Sequence, residues 1–257
     1  MQTCWEICAP LVLCTFTKMF PKIPKMISRA FSKVIWSVKY TPDDILIAVV
    51  GHKGAGKSTL IDAVTGSYAE GIYNSLSPRD TKICSVPVRL PGIDDNKFPV
   101  HLIDTPGIDD SEKTMDAVLK ELSKWKTDHC EKNVKFAGII FVNSVVNPQP
   151  PPDKHLSHRH QDVLTQLCGQ NWKNKMILVN THLDESMDGP DLVEIDLANG
   201  FWKLIMNGND GTTRMPKIQW YDHNDRQKSA WKILWSMIEN TDNPLSDKIV
   251  RGSSKRN

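Results

Sequence analysis

Gly51-His52-Lys53-Gly54-Ala55-Gly56-Lys57-Ser58 fits the spacing GxxxxGK[ST]. That spacing suits the holding of a phosphate chain. Glycines let backbone N–H groups close around phosphate oxygens. A helix starting at the end of the loop turns its positive end toward them. Lys57 would then reach the β- and γ-phosphates. Ser58, followed by Thr59, would offer a hydroxyl to Mg²⁺. A Gly-rich turn without a ligand would need neither Lys57 nor Ser58.

Asp104-Thr105-Pro106-Gly107 lies further along. Asp104, at the end of an apolar run, would hold the metal directly or through water. The Gly107 amide would contact the γ-phosphate and report its loss. A bare Pro-Gly turn is the competing reading. Between the two motifs a hydroxyl should cover the metal. Thr81 is the choice, with Ser77 and Ser85 as competitors.

Thr181-His182-Leu183-Asp184 stands where guanine-reading sites place [N/T]KxD. Asp184 would accept hydrogen bonds from guanine N1 and N2, which adenine cannot supply. Thr181 and His182 would flank the base, with His182 replacing the usual stacking Lys. A helix cap is the other reading of Asp184. Ile108 follows Gly107, so no Gln is present to orient a water. Lys53 is either a solvated loop lysine or a second cation beside Lys57 at the γ-phosphate. Slow hydrolysis is expected, faster where two domains meet face to face as a homodimer. His155, His158 and His160 read as a polar loop, not a zinc site.

These residues need a frame. ILIAVV (45–50), FAGIIFVN (136–143) and MILVN (176–180) are apolar runs of strand length, as buried parallel strands require. KICSVPVRL (82–90) and PVHLID (99–104) read as a hairpin. KIQWY (217–221) is the last strand. Helices are expected at about 56–64, 111–127, 158–168, 190–206 and 227–239. Strands alternating with helices imply a mostly parallel sheet covered on both faces.

The chain has 257 residues, enough for one such domain with short extensions. Its net charge of +2 does not suggest nucleic acid as a partner. The charge is uneven. Residues 1–40 carry Lys18, Lys22, Lys25, Arg29, Lys33 and Lys39 against Glu6 alone, and 25–39 follow helical spacing with an apolar stripe. This arm either lies on an anionic membrane surface, with Cys4, Cys8 and Cys14 as acylation candidates, or packs on the domain or a second subunit. The apolar run 7–16 is too short to span a bilayer. With Cys84, Cys130 and Cys168, the six cysteines form no CxxC pair and read as free thiols of a reducing compartment. A cytoplasmic protein, peripheral at membranes if the arm binds them, is the expectation.

Taken together, the chain resembles the short P-loop GTPase-like proteins of mushroom-forming fungi, relatives of immunity-associated nucleotide-binding GTPases and septins. The resemblance covers about 44–240. It rests on GHKGAGKSTLI, DTPGIDD, the helix ending near Trp125, KFAGIIFVN, LTQLCG, MILVNTHLDE, FWKLIMNG and SAWKILWSMI. It implies an α/β, three-layer P-loop G domain, mostly parallel with one antiparallel hairpin strand, that binds GTP or GDP. The domain would fill 43–241, after the arm 1–42 and before a polar basic tail, 242–257. A slow GTPase switch is the leading function. An assembly protein with little hydrolysis and an ATP-using P-loop enzyme are the alternatives.

Overall fold

The segment ILIAVVG has no polar face, so it can be a strand only where both faces are covered. In a computed structural model, which describes residues 39–66, 83–91, 99–108, 114–146, 158–182 and 217–239, it is β1 (Ile45–Gly51), buried at every position. Parallel partners flank it: β3 (Val100–Asp104) on one side and β4 (Gly138–Ser144) on the other. The parallel set continues through β5 (Met176–Thr181) and β6 (Lys217–Trp220). An antiparallel edge strand, β2 (Cys84–Val88), pairs with β3. The order is β2-β3-β1-β4-β5-β6.

Period-two alternation divides β1 between two cores. Ile45, Ile47 and Val49 face one layer, with Leu60, Ile61 and Val64 of α1 (Lys57–Thr65) and Ile233, Leu234 and Met237 of α4 (Arg226–Glu239). Leu46, Ala48 and Val50 face the other. There Val118, Leu119 and Leu122 of α2 (Met115–His129) join Leu164 and Leu167 of α3 (His158–Cys168). Each of these side chains larger than alanine contributes about 1.5–3 kcal/mol of burial. Two helix layers on one sheet give the expected three-layer architecture.

The expected element bounds hold to within a few residues, except at the start of α2. The Asp-Asp-Ser run suggested a start at 111. Instead Thr114 caps the helix, its Oγ1 accepting from the Ala117 amide at 3.3 Å. Asp116 in the first turn, and Lys126 and His129 in the last, suit the helix dipole. The expected helices at 25–39 and 190–206 lie outside the described residues, apart from Lys39.

The folded unit reaches back to Tyr40. Its N–H donates to the His129 carbonyl and its carbonyl accepts from Glu131 N–H, both at 2.8 Å. The Tyr40 hydroxyl donates to Ser85 Oγ at 2.7 Å, and the ring meets His101 edge-on at 4.9 Å. Asp44 closes the following turn by accepting from Thr41 N–H and Thr41 Oγ1, and its Oδ1 lies 3.6 Å from His101 Nε2. Among the described residues no helix is long and apolar enough to cross a membrane.

Candidate functional site

In a parallel sheet, the carboxyl ends of the strands are where loops converge. The loop after β1, the segment after β3 and the end of β5 meet there. Gly51 is required at the end of β1, because a Cβ would collide with the Val142 carbonyl oxygen of β4. Gly56 adopts φ 95° and caps α1 with its own backbone. That left-handed turn aims the start of the helix at the loop it has just closed.

Lys57 is only 8% exposed. Its ammonium donates to the Gly51 carbonyl at 3.0 Å and to the His52 carbonyl at 2.9 Å. Two backbone carbonyls hold this cation in place, and burial away from water strengthens its attraction for any anion that enters. Ser58 and Thr59 occupy the first turn of α1, and Lys53 lies exposed at the rim.

The second motif is joined to the loop. Asp104 ends β3 and is buried. Thr105 Oγ1 donates to the Val49 carbonyl at 2.8 Å, which fixes the turn beside β1. Lys53 N–H donates to the Ile108 carbonyl at 2.9 Å, and Ile108 N–H donates to the Gly51 carbonyl at 3.0 Å. These two bonds bring Gly107 against Lys53. A Cβ at Gly107 would lie 2.8 Å from Lys53 Cα, so no larger residue fits without a shift. Ile108 itself is 1% exposed and belongs to the α2-side core. The position where a water-orienting Gln would be sought therefore points inward.

Thr181 ties the third motif to the first. Its hydroxyl donates to the Ala55 carbonyl at 2.8 Å, with the Asn143 carbonyl a longer acceptor at 3.1 Å, and His182 Nδ1 lies 2.9 Å from the hydroxyl oxygen. A hydroxyl that donates to Ala55 accepts from Nδ1–H, which sets the His182 tautomer. His182 has φ 63°, a left-handed conformation that costs a non-glycine residue about 1–2 kcal/mol. Its N–H donates to His223 Nε2 at 3.3 Å, and the two rings lie 5.0 Å apart at 30°. His223 was missed in the sequence. Its place after β6 was the available signal, because that loop also opens at the carboxyl end of the sheet.

Two expectations fall differently. Ser85 is excluded as a metal cover. Its hydroxyl serves Tyr40, and its strand neighbour Val86 faces the α1 layer, so Ser85 points to the opposite side from Ser58. His160 is not a loop residue. It lies buried in α3, its Nε2 2.8 Å from Asp116 Oδ1 of α2, because the two helices pack side by side. Thr81, Ser77 and Asp184 lie outside the described residues, as does His155.

The profile of the family described as 50S ribosome-binding GTPase matches residues 46–181, from β1 through Thr181 and over more than half of the chain. The chain belongs to this GTPase family. The match takes in the phosphate loop, Asp104–Gly107 and Thr181 together. Solved structures agree on the fold. Toc33 from Arabidopsis thaliana in complex with GDP and Mg²⁺ matches with a TM-score of 0.52 at 16% identity, over 79% of this GTPase and 86% of that chain. Toc33 with Mg²⁺ and GMPPNP gives 0.51 at 15%, over 88% and 96%. A dimerization-deficient Toc33 mutant gives 0.50 at 14%, over the same shares. The comparison with curated proteins found no match.

Proposed function

We propose that this GTPase binds GTP and GDP with Mg²⁺ and acts as a slow, nucleotide-dependent switch. The observation behind this is the Lys57 ammonium, held within the loop by the Gly51 and His52 carbonyls while the Asp104–Gly107 segment is bonded to the same loop. Gly51–Thr59 would hold the phosphates. Ser58 and Asp104 would give the metal two protein oxygens, as suits a magnesium ion that keeps water and phosphate as its other ligands. Thr81 would cover it, and Gly107 would sense the γ-phosphate. Thr181, His182 and Asp184 would take the guanine.

One observation favours a second reading. Burial of Ile108 removes the usual water-orienting position from the site. Turnover would then rely on Lys57, on Lys53 or on a group from a second copy. A homodimer through the nucleotide face supplies the last. Without such help the protein would work by assembly, with little hydrolysis. A cytoplasmic place, membrane contact through residues 1–40, no nucleic-acid partner and kinship with the fungal, immunity-associated and septin-like branch complete the proposal.

The test is Lys57→Ala. Lost charge-assisted bonds are worth roughly 1.5–3 kcal/mol each. Affinity for GTP should fall at least about ten- to a hundredfold, read by fluorescent-nucleotide titration of a folded variant. Unchanged affinity would overturn the assignment. Turnover measured against protein concentration separates the readings: a rising rate per molecule supports the dimer.

A further inference from the structure

The end of the sheet remote from the phosphate loop carries its own charged feature. Lys39, Lys126 and Lys132 surround an open hollow of about 300 Å³, completed by Glu131, Gln166 and Leu167 among others. Lys39 precedes β1, Lys132 precedes β4 and Gln166 precedes β5, so all three stand at the amino ends of parallel strands. The seven residues of β1 separate them from the phosphate loop by roughly 20 Å.

Lys126 is held in place beside the hollow, and Lys39 and Lys132 are exposed at it. Lys126 Nζ donates to the Gln166 carbonyl at 3.3 Å, and Lys135 Nζ donates to the same oxygen at 3.2 Å. That carbonyl lies in the last turn of α3, whose negative end attracts cations. Two ammonium groups therefore share one neutral acceptor. Burial first, and Lys135 second, lower the Lys126 ammonium below its ordinary pKa. Among the described residues, Glu131 is the only carboxylate in the lining. An arriving anion would relieve this crowding.

We infer that this basic hollow is a contact site for the phosphates of an anionic phospholipid surface, distinct from the nucleotide site. Two observations favour a lipid surface over a nucleic acid. In sequence Lys39 follows residues 1–38, which carry Lys18, Lys22, Lys25, Arg29 and Lys33 against Glu6 alone, a charge balance suited to an anionic surface. No aromatic side chain among the described residues lines the hollow, so a base has nothing on which to stack. The lipid contact rests on the proposed membrane contact of residues 1–40 and is independent of the nucleotide reading, since the two sites occupy opposite ends of the sheet.

The experiment is sedimentation of the full chain with vesicles of phosphatidylcholine, alone or mixed with phosphatidylserine. The variant is Lys39→Glu/Lys132→Glu, which changes two exposed side chains and leaves the basic residues at 18–33 in place. Partitioning onto the phosphatidylserine vesicles should fall about tenfold or more, with the melting temperature and GTP affinity unchanged. Unaltered partitioning of the variant would overturn the inference, leaving the arm as sole anchor. So would equal sedimentation with both vesicle types. Displacement from vesicles by millimolar inorganic phosphate would assign the hollow to a soluble anion and overturn the lipid assignment. Loss of binding to a homopolymeric RNA, with vesicle binding retained, would do the same in favour of nucleic acid.

Discussion

The Thr181 hydroxyl donates to the Ala55 carbonyl at 2.8 Å, joining the end of β5 to the loop after β1 across 126 residues of sequence. Both residues are buried. Thr181→Val keeps the shape and removes the donor, leaving a buried carbonyl without this partner. The variant should lose about 1–3 kcal/mol of stability, read as a drop of several degrees in a thermal melt. Its GTP affinity should fall as well. A variant that melts like the wild type would show that the tie has no energetic role.

Guanine selection is expected to rest on Asp184. Asp184→Asn should weaken GTP binding and raise relative affinity for xanthosine triphosphate, whose extra carbonyl can accept from the Asn amide. Competition among GTP, ATP and XTP measures this. A wild type that prefers ATP, or a variant with unaltered preference, would remove Asp184 from the site.

Ile108→Gln should fail to create a faster enzyme. The side chain is enclosed by the α2-side core, so a buried amide replaces apolar packing. The expected loss is about 2–4 kcal/mol of stability, with single-turnover GTP hydrolysis no faster than wild type. Accelerated hydrolysis in a stable variant would show that residue 108 turns toward the nucleotide.

Acid should release the turn ahead of β1. Burial alone would raise the Asp44 pKa. The His101 imidazole beside it and the hydrogen bonds from Thr41 outweigh it and hold the carboxyl below its ordinary value. A lowered carboxylate stabilises the fold above the ordinary carboxylate pKa, and loses that contribution as pH falls through the lowered one. Asp44→Asn should therefore melt below wild type at pH 7, with the gap closing under about pH 4. A gap that stays constant with pH would deny the linkage.

Much of the fold was legible because its strands are continuous apolar runs. β1 has no alternative partner for Ile45–Val50 except a doubly covered sheet, and α3 was bounded correctly at His158 and Cys168. The loop residues were legible because Lys57 and the glycines act through backbone geometry that their spacing encodes. Contacts between distant segments were not. The Tyr40–Ser85 bond joins residues 45 positions apart, and no local pattern announces it. The burial of Ile108 was hidden for a related reason: sequence shows that the residue is not Gln, but only the bonds to Gly51 and Lys53 turn it inward. His223 meets His182 only once β6 lies beside β5.

The pair of backbone hydrogen bonds between Ile108 and the phosphate loop sets an equilibrium as well as a geometry. Each such bond is worth roughly 0.5–1.5 kcal/mol net, so parting the two segments costs about 1–3 kcal/mol. By these two bonds alone, between about one molecule in six and one in a hundred and sixty would be found apart without ligand. Any ligand that needs the segments separated binds with its affinity reduced by that fraction. A substitution that weakens only these two bonds would tighten such a ligand without touching it.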